Sequence, residues 1–223
     1  MSRREEMSRD EAVMNRLSET GIIPVVVMED SSDAAALGDA LTRGGLNAAE
    51  VTFRTAAAED AIRSLKREYP DLLCGAGTIL SIEQAKTAAD AGAEFVVSPC
   101  FDREVVEYCL REGIPVCPGI QTPTELNEAI KLGLSHVKFF PAENAGGLGM
   151  IKSLGAVFRQ VKFMPTGGIN AGNVEAYLKT KNIFCCGGSW MVKSDMIKNK
   201  DFDTIYRLVK EAADIVADVR KEI

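Results

Sequence analysis

The sequence predicts an α/β fold, a (β/α)8 barrel of the TIM type with one extra N-terminal helix, in a single domain over residues 1–223. Three observations carry that expectation. From Ile22 onward, short β-rich apolar runs alternate with longer amphipathic stretches, as repeated βα units around a parallel sheet require. The apolar runs number eight. The paired glycines fall after the last two runs, whereas a doubly wound open sheet carries its glycine-rich loop early in the chain.

The elements follow in order. A helix is expected over Arg9 to Glu19, where it could cover the apolar floor of the barrel. The strands are expected at Ile22 to Met28, Ala49 to Phe53, Leu72 to Thr78, Glu94 to Pro99, Pro115 to Ile120, His136 to Pro141, Lys162 to Gly168 and Ile183 to Ser189. Helical periodicity fills the gaps, for example Asp33 to Arg43, Ala57 to Glu68, Ser81 to Ala91, Asp102 to Arg111 and Thr124 to Leu132. Gly44, Gly92, Gly113 and Gly133 stand where helix C-caps belong.

A chain of 223 residues with 46% hydrophobic content can bury a sizeable core without staples. The net charge of -6 argues against a nucleic-acid or anionic-membrane surface, both of which need clustered positive charge, and leaves a small metabolite as the easier partner. Six cysteines without a C-x-x-C pair, beside one histidine, disfavour a metal site and read as reduced thiols of a cytoplasmic protein. The lead MSRREEMSRDEAVMNRL has no apolar signal-peptide core, and no later run approaches a membrane span in length.

A parallel strand buried on both faces should be almost wholly apolar, so charges inside one demand a reason. In the second strand Glu50, Thr52 and Arg54 share one face, which must look into the barrel. They are either chemical groups or an internal Glu50–Arg54 ion pair that fills space. In the sixth strand Lys138 lies among apolar residues. Desolvation favours the neutral amine, which can attack a ketone to form a Schiff base; such a site needs an acid/base carboxylate, and Glu50 could supply it. The alternatives are a snorkelling lysine or a structural ion pair. Lys162 stands at the N-terminal end of its strand and reads as solvated.

The turns Thr166-Gly167-Gly168 and Gly187-Gly188-Ser189 close the last two strands. Loops at those positions commonly bind phosphate through bare backbone N–H groups, and Ser189 would add a hydroxyl. A lone Gly-Gly marks only a tight turn; two at adjacent strand ends carry more. His136 begins its strand and reads as structural, while Cys100 lies beyond the fourth strand without a base or cation to activate it.

The motifs Glu-Val-Thr-Phe-Arg-Thr (50–55), Gly-Ala-Gly-Thr (75–78), Ser-Pro (98–99), Pro-Gly-Ile (118–120), Lys-Phe-Phe-Pro-Ala-Glu (138–143), Pro-Thr-Gly-Gly-Ile (165–169) and Gly-Gly-Ser-Trp (187–190) occur in sequence. Over Ile22 to about Val192 they resemble the 2-keto-3-deoxy-6-phosphogluconate (KDPG) and 4-hydroxy-2-oxoglutarate (KHG) aldolases. The resemblance implies a class I aldolase without cofactor or metal, usually a homotrimer. By it, Lys138 forms the Schiff base and Glu50 moves protons, while Arg54 and Thr78 hold the substrate carboxylate. Phe140 packs beside the lysine, Pro99 joins the substrate-binding set, and Gly167, Gly168, Gly188 and Ser189 bind phosphate. Cys100, Phe101 and Gln121 replace the smaller residues of many relatives and leave the aldehyde partner open.

The reaction so implied is cleavage of KDPG to pyruvate and glyceraldehyde 3-phosphate, extending to KHG giving pyruvate and glyoxylate. Other readings are an aldolase for the 6-phosphogalactonate epimer, a phosphosugar isomerase or synthase using Lys138 electrostatically, or a phosphosugar-binding barrel without Schiff-base chemistry.

Overall fold

Helices, several of them opened by a side-chain N-cap, alternate with short buried strands through the computed structural model, which describes residues 8–222. The first seven residues of the polar lead and Ile223, counted in the expected 1–223 domain, lie outside the described residues. Helix α1 (Arg9–Thr20) opens on a capping box in which Ser8 and Glu11 satisfy each other's backbone N–H. Strand β1 (Ile22–Val26) follows, then a 3-10 turn at Ser31–Asp33 and α2 (Ala34–Gly44). The next pairs are β2 (Ala48–Thr52) with α3 (Ala58–Glu68) and β3 (Leu73–Gly77) with α4 (Ile82–Asp90). After β4 (Val96–Val97) and α5 (Arg103–Arg111) come β5 (Val116–Cys117), β6 (Gly119–Ile120) and α6 (Pro123–Lys131). The chain continues through β7 (His136–Phe139), α7 (Gly147–Val157), β8 (Lys162–Pro165), α8 (Val174–Leu178), β9 (Cys186–Gly188), α9 (Ser194–Lys198) and α10 (Phe202–Glu222).

All strand pairings are parallel, in the order β5-β4-β3-β2-β1-β9 for one sheet and β6-β7-β8 for the other. Isolated parallel bridges join Phe163 to Ile183 and Thr166 to Gly187. The strands curl as in an α/β half-barrel, with a core of apolar side chains between strands and helices. The expected fifth strand, Pro115 to Ile120, is split at Pro118, whose ring removes a ladder donor, although its carbonyl still accepts from Lys138 N–H at 2.9 Å.

A second apolar cluster joins Val13, Met14 and Leu17 of α1 to strand residues including Ile23, Leu73, Phe95 and Met164. Burying each of those three α1 side chains contributes ~1.5–3 kcal/mol, which seats the helix beneath the strands as expected. Arg16 adds a bond to the Asp71 carbonyl at 2.8 Å and an ion pair with Glu94 at 3.2 Å.

The α2 cap is Gly45, with φ 95, rather than Gly44. Gly44 ends the helix proper, and a Cβ there would stand 2.5 Å from Val209 of α10, so its bareness serves close helix packing. Gly92, Gly113 and Gly133 do adopt positive φ at their helix ends. Among the described residues no helix is long and apolar enough to cross a membrane.

Candidate active site

Strand β2 carries Glu50 into the interior with Val25 and Gly75 as its register partners. Room for the carboxylate comes from β3: a Cβ on Gly77 would stand 2.1 Å from Glu50 Oε1. From β7, in register with Gly119 and Met164, Lys138 reaches the same place. Its Nζ donates to Glu50 Oε1 over a long 3.4 Å, with the two side chains only 4% and 1% exposed. Glu50 Oε2 has no partner among the described residues. An amine and a carboxylate are thus enclosed together, with one carboxylate oxygen uncommitted. The Phe140 ring lies beside them, its centroid 5.2 Å from Lys138 Nζ.

The Glu50–Arg54 ion pair that spacing allowed is not made. Lys138 takes that place, and Arg54 instead donates from Nε to Thr78 Oγ1 at 3.2 Å. Arg54 lies past the end of β2, where the strand face no longer dictates its direction, and it is exposed. Thr52, between them, donates to the Val26 carbonyl at 2.8 Å and is structural. Thr78 holds φ 58, a costly conformation for a β-branched residue at ~1–3 kcal/mol, in the position that lets its hydroxyl accept from Arg54.

A cavity of about 520 Å³ gathers Arg54, Phe140, Gly167, Gly168, Gly188 and Ser189, six of the ten residues singled out from sequence. Gly167 and Gly168 sit at φ 97 and 82, which leaves their N–H groups unobstructed and excludes most side chains. Ser189 is exposed, and its hydroxyl makes no hydrogen bond among the described residues. Lys138 and Glu50 adjoin this space through Phe140, and Thr78 through Arg54. Pro99 is apart from it: its carbonyl backs Gly119, where a Cβ would come within 2.4 Å, so it supports the strand paired with Lys138. A larger groove of about 830 Å³ by α1, α2 and α10 contains none of the ten.

Three features of the cavity lining and its support escaped the sequence reading. Thr166 Oγ1 is buried without a partner, and a Cβ on Gly187 would approach it to 2.4 Å. Lys193, just beyond β9, also lines the cavity. Glu143 braces the glycine turn: its N–H donates to the Gly167 carbonyl at 3.1 Å, and its carboxylate accepts from the buried Tyr177 hydroxyl. Burial and that carboxylate push the Tyr177 hydroxyl up from its ordinary value. The motifs at 138–143 and 165–169 contained Glu143 and Thr166, but only contact gives them a task.

The residues read as structural keep to that. His136 packs edge-on against Phe184 with ring centroids 4.8 Å apart, and burial holds its pKa below 6.5. Lys162 is partly exposed and donates to the Lys181 carbonyl at 3.1 Å. All six cysteines are free, five buried and Cys100 exposed. Among the described residues no group of three or more His, Cys, Asp or Glu could hold a metal ion.

The chain matches the family model of KDPG and KHG aldolases over residues 13–208. It is 43% identical to the 2-dehydro-3-deoxy-phosphogluconate aldolase of Haemophilus influenzae across 92% of this chain and 96% of that one. Among solved structures it is similar to the KDPG aldolase of Legionella pneumophila with pyruvate captured at low pH as a covalent carbinolamine intermediate, at TM-score 0.86 and 41% identity, covering 91% and 97% of the two chains. The 2-keto-3-deoxy-6-phosphogluconate aldolase of Zymomonas mobilis with 3-phosphoglycerate matches at TM-score 0.86 and 39% identity, covering 93% and 96%.

Proposed function

This chain belongs to the KDPG and KHG aldolase family, and we propose the part that each of its residues plays there. It is a carbon–carbon lyase of the Schiff-base class, cleaving KDPG to pyruvate and glyceraldehyde 3-phosphate. KHG, which has the same pyruvyl half, is its second substrate, giving glyoxylate in place of the phosphorylated aldehyde.

The observation that carries the residue assignment is the enclosed Lys138–Glu50 pair. In the proposed mechanism the Lys138 amine adds to the C2 ketone, and Glu50 exchanges the protons that allow the carbinolamine to lose water as an iminium ion. Glu50, directly or through one water, then removes the C4 hydroxyl proton. The C3–C4 bond breaks, its electron pair passes into the iminium to give an enamine, and the aldehyde leaves. Protonation at C3 and hydrolysis release pyruvate and restore the amine. At 3.4 Å from the amine, the Glu50 carboxylate is near enough to exchange protons with groups held on Lys138, directly or through one water.

Arg54 and Thr78 hold the keto-acid carboxylate, a task suited to a guanidinium beside a hydroxyl, and Phe140 shields the imine from water. Gly167, Gly168, Gly188 and Ser189 receive the phosphate; the 3-phosphoglycerate complex of the Zymomonas relative supports a phosphorylated ligand here. Pro99 positions the strand next to Lys138.

Closure into a full (β/α)8 barrel over one domain of residues 1–223 is supported by the bridges from β8 to the segment of β9. Exposed Leu80, Leu110 and Val157 offer apolar surface for a homotrimer, to be read from solution mass. Six free thiols suit the reducing cytoplasm. Borohydride reduction in the presence of pyruvate, followed by peptide mass mapping, is expected to label Lys138. Label on another lysine, or none, would overturn the assignment.

A further inference from the structure

We propose that Lys193 is a specificity-determining residue of the substrate cavity, whose ammonium favours a substrate ending in a phosphate dianion over one ending in a carboxylate. The proposal rests on the aldolase reading above and concerns the part of the cavity lining that follows β9.

The charged side chains lining the cavity are Arg54, Lys193 and Asp195. Arg54 is bound to Thr78 and serves the keto-acid end. At the glycine turns every other donor is neutral: the bare backbone of Gly167, Gly168 and Gly188, and the Ser189 hydroxyl. Besides Arg54, Lys193 is the cation in the cavity lining, and it comes from the same loop as Ser189. It follows β9 by five residues, in the loop that carries Ser189, and is solvent-exposed. Among the described residues its ammonium has no hydrogen bond or ion pair, unlike Lys66, which binds Glu94, or Lys200, which binds Asp33.

Asp195 gives the arrangement its sign dependence. With Lys193 present the two charges on this rim balance. Without it, Asp195 is the charged residue this loop contributes to the cavity, and its charge opposes an anion. A phosphate monoester carries about −1.5 to −2 at neutral pH, and a carboxylate carries one charge, so losing the ammonium penalises the phosphorylated substrate more. Because Lys193 is exposed, its attraction is screened by salt and modest in size.

The test compares Lys193→Gln, Lys193→Arg and the wild type for kcat/KM on KDPG and on KHG at low and high ionic strength. Lys193→Gln is expected to lower the KDPG-to-KHG ratio by about two- to five-fold at low salt, the range of an exposed ion pair. The salt dependence on KDPG should flatten, and Lys193→Arg should restore both. An unchanged ratio, equal losses on both substrates, or an unaltered salt dependence overturns the proposal. Binding of inorganic phosphate to the same three proteins, followed by phosphorus NMR, reads the cation without turnover. If the wild type cleaves neither substrate, the aldolase reading fails by itself, and phosphate affinity indifferent to Lys193 rejects the present proposal separately.

Discussion

Replacing Gly77 by alanine adds one methyl group at the point where β3 makes room for Glu50. The new Cβ would lie 2.1 Å from Glu50 Oε1, 2.6 Å from Cγ and 2.7 Å from Cδ. Ordinary contact begins near 3.4 Å, so the carboxylate must retreat by about 1.3 Å. Glu50 is 1% exposed and cannot swing into solvent. Gly77 is not among the residues with positive φ, so alanine meets no backbone obstacle and the effect is steric. Overpacking of this kind costs ~1–3 kcal/mol of stability, and displacing a catalytic group by about 1 Å costs on the order of 100-fold in rate.

The control lies two residues away on the same strand. Alanine at Gly75 would meet Phe95 at 2.3 Å, in the apolar cluster under α1. Both variants should unfold at lower urea, but only Gly77→Ala should lose kcat by about two orders of magnitude in a pyruvate-release assay coupled to lactate dehydrogenase. Near-wild-type kcat in Gly77→Ala would refute the reasoning that the placement of Glu50 sets the rate.

Burial, then the charge of Lys162, depresses the His136 pKa below 6.5, so the folded chain favours neutral imidazole and the unfolded chain binds more protons. The stability His136 lends is therefore complete above about pH 6.5 and drains away as pH falls through the folded value; His136→Gln should flatten the pH dependence of the urea midpoint in that window. Burial raises the Cys74 thiol to about 12 and Cys109 to about 11, and Cys117, Cys185 and Cys186 are raised by burial too. A disulfide reagent should accordingly titrate Cys100 alone in the native protein and all six thiols after denaturation. Tyr177→Phe removes the hydroxyl that braces Glu143 and should cost about 0.5–1.5 kcal/mol in urea unfolding, since the exposed carboxylate can turn to water.

Much of the architecture is local and therefore written along the chain. Hydrophobic period located the strands and the helices α1 to α6 within a few residues, because an Asp102 or Ser81 cap and a run such as Ile22–Val26 act through neighbours in sequence. The split at Pro118 and the shift of the cap from Gly44 to Gly45 are small corrections of the same kind, one from a missing donor and one from helix contact. Lys138 was legible for a different reason: a lysine in a wholly buried strand contradicts the strand's own chemistry, and such a contradiction shows in one dimension.

Partnership could be offered but not fixed by the sequence, because it depends on strand register and curvature. Glu50 and Lys138 lie 88 residues apart, and periodicity offered Glu50 a nearer cation in Arg54. Tertiary structure settled the choice by placing β7 across from β2 and letting Arg54 pass the strand end to Thr78. Glu143, Tyr177 and Lys193 carry no local anomaly, since an acid after a strand, an aromatic in a helix and a lysine in a loop are ordinary there. Sequence alone determined that a charged amine would be buried and that bare glycine turns would close the last strands. Only the folded chain decided which carboxylate the amine meets and which side chains share a cavity with the turns, because those are distances between segments that no local pattern encodes.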